Sequence, residues 1–146
     1  MTLVLRQARR SDIPGILRVR YAVSENRLDS RVISETDVAE ALERTGRGWV
    51  IELGDDIVAF TIGIAQTGNI WALFVAPPHE GLGYGKQLHD TVVEWLRTRT
   101  SGPLWLTTQP GTRAERFYAR AGWISSGSAA NGNLRLELPA PAMGQA

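Results

Sequence analysis

The stretch "HEGLGYGK" (79–86) places glycine at every second position, at Gly81, Gly83 and Gly85. It follows an apolar run that ends in two prolines, and it precedes a long amphipathic run. The first turn of a helix has N–H groups without helical partners and a partial positive charge, which together favour anions. Glycine lets such a backbone come close to a ligand. The stretch therefore predicts a phosphate-binding turn between a strand and a helix, or a tight connection alone.

Hydrophobic periodicity on both sides of this stretch predicts the element order β-α-α-β-β-β-α-β-α-β-β. This order favours a mixed sheet with helices on its faces, which is an α/β or α+β fold. The chain has 146 residues, the size of one ordinary domain. We expect a single domain over residues 1–138 and a disordered tail over residues 139–146.

Capping and turn residues predict where some of these elements begin and end. Ser11 is the predicted N-cap of the first helix, and Ser34 with Asp37 forms the pattern of a capping box at the second. Residues 54–56, Gly-Asp-Asp, predict a tight hairpin between two apolar strands.

Composition excludes several kinds of function. Sixteen basic and fifteen acidic residues leave a formal charge of +1, so the chain as a whole has no strong attraction to nucleic acid or to an anionic membrane. The chain has no cysteine, which rules out disulfides, thiolate metal sites and a cysteine nucleophile. No run approaches the ~18 apolar residues of a membrane span. We expect a cytoplasmic location.

The glycine spacing differs from two common nucleotide-binding patterns. No Gly-Lys-Ser/Thr follows it, as a P-loop would require, and the spacing is not that of the dinucleotide pattern G-x-G-x-x-G. The strands before it also have hairpin signals rather than the βαβ pattern that the dinucleotide fingerprint needs.

Two segments, "LFVAPPHEGLGYGKQL" (73–88) and "TRAERFYARAGW" (112–123), together resemble the GNAT superfamily of N-acetyltransferases. In that family the loop pattern is Gln/Arg-x-x-Gly-x-Gly/Ala. The glycines match here, whereas Glu80 stands at the first position. A carboxylate beside a pyrophosphate is electrostatically unfavourable, so Glu80 is the main departure within the loop.

The second segment resembles the family pattern Asn-x-x-Ala-x-x-Phe-Tyr-x-x-x-Gly-Phe. Gly111 replaces the Asn and Trp123 the last Phe, while the remaining positions match: Ala114, Phe117, Tyr118 and Gly122. The resemblance implies a single-domain fold with a mixed, largely antiparallel sheet of six to seven strands and about four helices. It also implies transfer of an acetyl group from acetyl-CoA to a primary amine, by direct attack within a ternary complex and without a metal ion.

The resemblance assigns roles to particular residues. Tyr118 would protonate the leaving thiolate, or alternatively would only pack against the sheet. The strand residues Leu73, Phe74 and Val75 would align the pantetheine arm through their backbone, and one of their N–H groups would face the thioester carbonyl. The remaining residues predicted to bind the cofactor are Glu80, Gly81, Leu82, Gly83, Tyr84, Gly85, Lys86 and Phe117.

The general base and the acceptor site have weaker signals. The strand before the loop has no carboxylate, although many family members place one there. Glu25 and Asp29 in "SENRLDS" are the substitutes that we expect, with a water chain or an ordinary polar loop as alternatives. Arg27 could bind a carboxylate on the acceptor, and Trp71 could line its pocket.

The expected acceptor is a small-molecule or peptide amine, with no nucleic acid and no membrane as partners. A homodimer is an arrangement that the family allows, with "NLRLEL" (133–138) as an edge strand for pairing. The rival interpretation is a module with this fold that senses acyl-CoA without turnover. A more distant rival is a nucleotide- or NAD-binding enzyme.

Overall fold

The structure is a computed structural model that describes residues 2–23, 34–129 and 131–141. Seven strands form one sheet: β1 (Leu3–Gln7), β2 (Gly46–Leu53), β3 (Asp56–Ile64), β4 (Asn69–Val75), β5 (Leu104–Thr108), β6 (Ile124–Ser128) and β7 (Leu134–Leu138). Within these ranges the α-helices are α1 (Ile13–Ala22), α2 (Glu35–Glu40), α3 (Tyr84–Arg99) and α4 (Arg113–Arg120).

The sheet is mixed and largely antiparallel, which confirms the predicted fold class. Its strand order is β1-β2-β3-β4-β5-β7-β6. Every neighbouring pair is antiparallel except β4 and β5, which run parallel. The order of strands and α-helices along the chain is the predicted one, and the hairpin predicted at residues 54–56 joins β2 to β3.

Each face of the sheet buries its own apolar core. On one face α3 contributes Leu88, Val92 and Leu96, none of which has exposed surface. On the other face α1 and α2 contribute Ile16 and Val38. Burying one such side chain stabilises the fold by about 1.5–3 kcal/mol. The three α3 residues lie four residues apart, so a single face of that helix holds it against the sheet.

Of the two predicted helix N-caps, the one at α2 is present and the one at α1 is not. The capping box is confirmed, since the Ser34 hydroxyl accepts from the Asp37 N–H at 3.1 Å and the Asp37 carboxylate accepts from the Ser34 N–H at 3.1 Å. The prediction for Ser11 is wrong, because this residue lies inside a 3-10 turn over Arg10–Asp12 and Asp12 is the N-cap of α1. The Asp12 carboxylate instead accepts two hydrogen bonds from Arg6, both at 2.8 Å.

The predicted edge strand is also wrong. The segment "NLRLEL" forms β7, which lies between β5 and β6, so β6 is the edge on that side of the sheet. The sequences explain this order, because β6 reads ISSGS and is exposed throughout, whereas β7 buries Leu136 in the core. The apolar alternation of β7 suits an interior position, and the polar β6 suits an edge.

Beyond β7 the Pro139 carbonyl accepts a hydrogen bond from Arg97 Nη2 at 2.7 Å. The last five positions of the predicted tail, residues 142–146, lie outside the described residues. Within the described part of the chain, none of the helices has the length and apolar character needed to cross a membrane.

Candidate active site

The parallel strands β4 and β5 are paired at one position only, between Asn69 and Trp105. The Asn69 side chain reinforces this pair, because its Nδ2 donates to the Trp105 carbonyl at 3.1 Å. Beyond this point the strands separate, and a cleft of about 600 Å³ opens between them. Its walls come from β4, from β5, from the glycine loop with the first turn of α3, and from one face of α4 along its length.

The backbone of β4 presents polar groups to this cleft. The Ala76 N–H donates to the Val58 carbonyl at 2.9 Å, and Phe74 is paired with Phe60 in the register of β3. Because hydrogen-bonding direction alternates along a strand, the backbone groups of Leu73 and Val75 point the other way, into the cleft. Of the three β4 residues predicted to align the pantetheine arm, Leu73 and Val75 thus direct their backbone groups to the cleft, and Phe74 is paired with β3.

The glycine loop enters α3 through two left-handed residues. Gly81 has φ +79° and Gly83, the N-cap of α3, has φ +87°. Side chains other than glycine rarely adopt this region, so both positions need glycine for their conformation. Gly85 has an ordinary helical backbone, and a Cβ there would be in normal contact with Phe117 at 3.8 Å.

The N-terminus of α3 faces the cleft without a side-chain cap. In α2 and α4 the hydroxyls of Ser34 and Thr112 accept from N–H groups of the first turn. No described side chain does this for α3, and its first turn contains no acidic residue. The N–H groups at the start of this helix are therefore left to solvent or to a ligand, as a phosphate site requires.

Tyr118 lines the same cleft from α4. Its side chain is buried, with only 6% of the residue exposed, and packs edge-on against Phe117 and Trp123. Burial raises the pKa of the Tyr118 hydroxyl well above its usual range, because the charged phenolate is poorly solvated there. The phenol therefore keeps its proton throughout the neutral pH range and can act as a hydrogen-bond or proton donor.

The cleft brings together most of the residues that the sequence singled out. Those that line it are Trp71, Leu73, Phe74, Val75, Glu80, Gly81, Gly83, Tyr84, Gly85, Lys86, Phe117 and Tyr118. Leu82 does not line the cleft, because its side chain points to solvent and the residue is 58% exposed. Glu25, Arg27 and Asp29 lie in residues 24–33, outside the described residues.

Residues 11–123 match the sequence model of the Acetyltransferase (GNAT) family. This chain is a member of that family. A search among curated proteins finds no significant match.

Solved structures with the same fold agree with the family assignment. The PaiA N-acetyltransferase of Thermoplasma acidophilum, in complex with coenzyme A, is similar with a TM-score of 0.80 at 11% identity, over 95% of this chain and 99% of that one. An N-acetyltransferase from Staphylococcus aureus Mu50 is similar with a TM-score of 0.78 at 15% identity, over 95% of this chain and 99% of that one. At these identities the likeness establishes the GNAT fold of the chain.

Glu80, the departure from the GNAT loop pattern, has a partner that the sequence analysis missed. Its carboxylate accepts from Arg113 Nη1 at 2.7 Å, across the cleft from the start of α4. Arg116 and Arg120 line the cleft from the same helix. Their spacing, three and seven residues after Arg113, places all three on one helix face and was a readable signal.

The contact between His89 and Trp123 is a second one in this GNAT domain that the sequence analysis missed. The residue is 6% exposed, and its Nε2 accepts from the Trp123 indole N–H at 2.9 Å. Because an indole can only donate, the proton of the neutral ring lies on Nδ1, 3.0 Å from Asp90. Asp90 also accepts from Lys86 at 2.7 Å, and this contact holds the pKa of the Asp90 carboxyl below its usual range. His89 thus has a structural role behind Tyr118.

Charge in the cleft favours an anionic ligand. Its described lining includes four basic side chains, Lys86, Arg113, Arg116 and Arg120, and one carboxylate, Glu80. The described residues contain no cluster of three or more His, Asp or Glu side chains suited to a metal ion.

Proposed function

We propose that this chain transfers the acetyl group of acetyl-CoA to a primary amine, by direct attack within a ternary complex. The observation that carries the proposal is the meeting of three features in one cleft. These are the open edge of β4, the uncapped N-terminus of α3 and the buried phenol of Tyr118. A similar structure, solved in complex with coenzyme A, supports the choice of cofactor.

The residues of the cleft suit the parts of acetyl-CoA. Free N–H groups over residues 81–86 and the surrounding cations match a pyrophosphate. The backbone of Leu73 and Val75 offers donors and acceptors in the alternation that an extended amide-containing arm can follow. Acetyl-CoA would supply an activated thioester, and the chain would bind and orient it.

The proposed chemistry uses two groups of the chain directly. An N–H of Leu73 or Val75 would donate to the thioester carbonyl oxygen as negative charge develops there. The amine nitrogen would attack the carbonyl carbon, the C–S bond would break, and the sulfur would take the proton of the Tyr118 hydroxyl. The cationic nitrogen of the product would then lose one proton, which would restore the Tyr118 phenol. A thiolate, whose thiol has a pKa of about 8.5, is a weaker base than the phenolate of this buried phenol, because burial raises the pKa of Tyr118. Transfer to a free thiolate would be uphill, so the proton would have to move as the C–S bond breaks.

The amine must lose its proton before it attacks, because an alkylamine with a pKa near 10.4 is mostly charged at neutral pH. We propose Glu25 or Asp29 for this task, with Arg27 and Trp71 at the acceptor. Val23, the last described residue before this segment, lines the cleft. Among the described lining residues the single carboxylate, Glu80, belongs to the glycine loop.

An acyl-CoA sensor without turnover is the second candidate. It is favoured by the scarcity of carboxylates, since the described lining of the cleft contains Glu80 and no other Asp or Glu. A sensor would bind acetyl-CoA and coenzyme A as the enzyme does, but would release no thiol with any amine.

Calorimetric titration with acetyl-CoA, coenzyme A and NAD tests the shared part of both candidates. We expect micromolar binding of the first two and none of NAD. Thiol release with a panel of amino acids, polyamines and peptides then separates the enzyme from the sensor. A folded sample that binds neither coenzyme would overturn the proposal, and binding of NAD alone would favour a nucleotide enzyme.

A further inference from the structure

The ion pair between Glu80 and Arg113 joins two parts of the chain that are 33 residues apart. Glu80 lies at the start of the glycine loop, and Arg113 is the first residue of α4. Both side chains line the cleft, and both are partly accessible to solvent, with 32% and 55% of the side chain exposed. The pair therefore connects the walls of the cleft at its charged end.

Arg113 stands where helix stability alone would not place it. A cation at the first position of a helix lies against the positive end of the helix dipole. Glu115 in the same first turn, by contrast, has the favourable sign there. A residue that breaks a local rule in this way marks a place where function selects the side chain.

The guanidinium of Arg113 also lies beside the glycine loop. Its Nη2 is 3.8 Å from the point where a Cβ on Gly81 would stand. A guanidinium has five N–H donors in a planar fork, and can hold a carboxylate on one side and a phosphate on another. The contact with Glu80 is made through Nη1.

We infer that Arg113, positioned by Glu80, binds the pyrophosphate of the coenzyme beside Gly81. The GNAT loop pattern has a side chain with N–H donors, Gln or Arg, at position 80. In this chain those donors are thus supplied from position 113, and Glu80 is neutralised by the residue that it holds. This inference rests on the proposed function, since it needs the cleft to be the coenzyme site.

Affinities for acetyl-CoA and dephospho-CoA, measured by calorimetry on the full chain, test the inference. We expect Arg113→Gln to weaken both ligands equally, by about 10- to 100-fold, since a charge-assisted hydrogen bond is lost and Glu80 is left uncompensated. Glu80→Gln should change either affinity by less than about threefold, because it removes an anchor and a repulsive charge together. The double variant should bind more tightly than Arg113→Gln alone.

The control is Arg44→Gln, which removes the same charge from an exposed pair with Glu40 that does not line the cleft. It should leave both affinities unchanged. Equal losses of affinity in Arg44→Gln and Arg113→Gln would overturn the inference, and so would a double variant that binds no more tightly than Arg113→Gln. A loss of affinity for acetyl-CoA but not for dephospho-CoA would also overturn it, because this result would assign Arg113 to the 3′-phosphate. Failure of the folded wild-type protein to bind acetyl-CoA would overturn the proposed function itself.

Discussion

The two edges of β4 differ, although they belong to one strand. Toward β3, β4 is paired from Asn69 to Val75 with a single irregularity, and toward β5 it is paired once. Backbone polar groups inside a protein normally have partners, and an open strand edge invites another ligand or chain. The paired edge contributes to stability, and the open edge leaves backbone groups of β4 available, which the proposed function assigns to the coenzyme.

The largest effect should come from Tyr118, at the open edge. Tyr118→Phe removes the hydroxyl and keeps the buried ring, so we expect turnover to fall by about 10²–10⁴-fold, the usual contribution of a general acid. Acetyl-CoA affinity should stay within about twofold. Thiol release under saturating acetyl-CoA and calorimetry measure the two quantities. Equal activity of the variant and the wild type would show that this phenol only packs against the sheet.

Away from the cleft, Asp12 should affect the stability of the fold without affecting acetyl-CoA binding. Its carboxylate accepts from Arg6 twice and from the Arg9 N–H at 2.9 Å, and the first of these contacts lowers its pKa. Asp12→Asn should reduce the free energy of unfolding at pH 7 by about 1.5–3 kcal/mol, as for hydrogen bonds to charged groups. Acetyl-CoA affinity should not change.

The sign of the pH dependence follows from the lowered pKa of Asp12. The carboxylate contributes fully above the unfolded-state pKa of about 3.9, and its contribution is lost as the pH falls through the lower folded-state value. The difference between wild type and Asp12→Asn in urea unfolding should therefore be complete at pH 6 and shrink below about pH 4. A difference that stays constant down to pH 3 would contradict the role of the charge.

A pair of glycine variants separates binding from backbone strain. Gly83 and Gly111 both have positive φ, +87° and +76°, and at both a Cβ would have open space. Alanine at either position should cost roughly 1–2 kcal/mol of stability through strain. Gly83→Ala should also weaken acetyl-CoA about tenfold or more by placing a Cβ among the N–H groups of α3. Gly111→Ala, outside the cleft lining, should not. Matching affinities would mean that the loop is only a turn.

Features that lie away from the cleft were predicted well where they depend on residues close together in the sequence. The capping box at Ser34 and the hairpin at residues 54–56 each depend on a few neighbouring residues, and both are confirmed. Ser11 failed because Asp12, one residue later, could bind Arg6 as well as the Arg9 N–H. The choice between two adjacent polar residues depended on β1, which the local pattern does not contain.

The cleft and the order of the last strands depend instead on contacts between segments that are distant in the sequence. Glycine spacing predicted the loop, but the partner of Glu80 lies 33 residues away and that of His89 lies 34 residues away. The prediction of "NLRLEL" as an edge strand was wrong for the same reason, because the edge is decided by which of β6 and β7 pairs with β5. Alternation of apolar residues shows that a strand is half buried but does not name its neighbours.

The smallest and most direct test compares two side chains that donate across the two edges of β4. Thr61 Oγ1 donates to the Ala72 carbonyl at 2.8 Å across the closed edge, and Asn69 Nδ2 donates to the Trp105 carbonyl at 3.1 Å where the open edge begins. Both residues are buried. Thr61→Val removes one hydrogen bond, whereas Asn69→Leu removes two, since Asn69 Nδ2 also donates to the Ile70 carbonyl at 3.2 Å. At about 1 kcal/mol for each hydrogen bond, we expect the free energy of unfolding to fall by about 1 kcal/mol in Thr61→Val and by about 2 kcal/mol in Asn69→Leu.

Only Asn69→Leu should also weaken acetyl-CoA, because the single pair between Asn69 and Trp105 sets the point from which β4 and β5 separate. Urea unfolding and calorimetry on the two variants measure both effects. If Thr61→Val lowered the affinity for acetyl-CoA as much, binding would depend on the rigidity of β4 as a whole. If neither did, the width of the cleft would be held by α3 and α4 rather than by the strand pair. A loss of stability in both variants, with a loss of acetyl-CoA affinity in Asn69→Leu alone, would show that the two edges of one strand have separate roles.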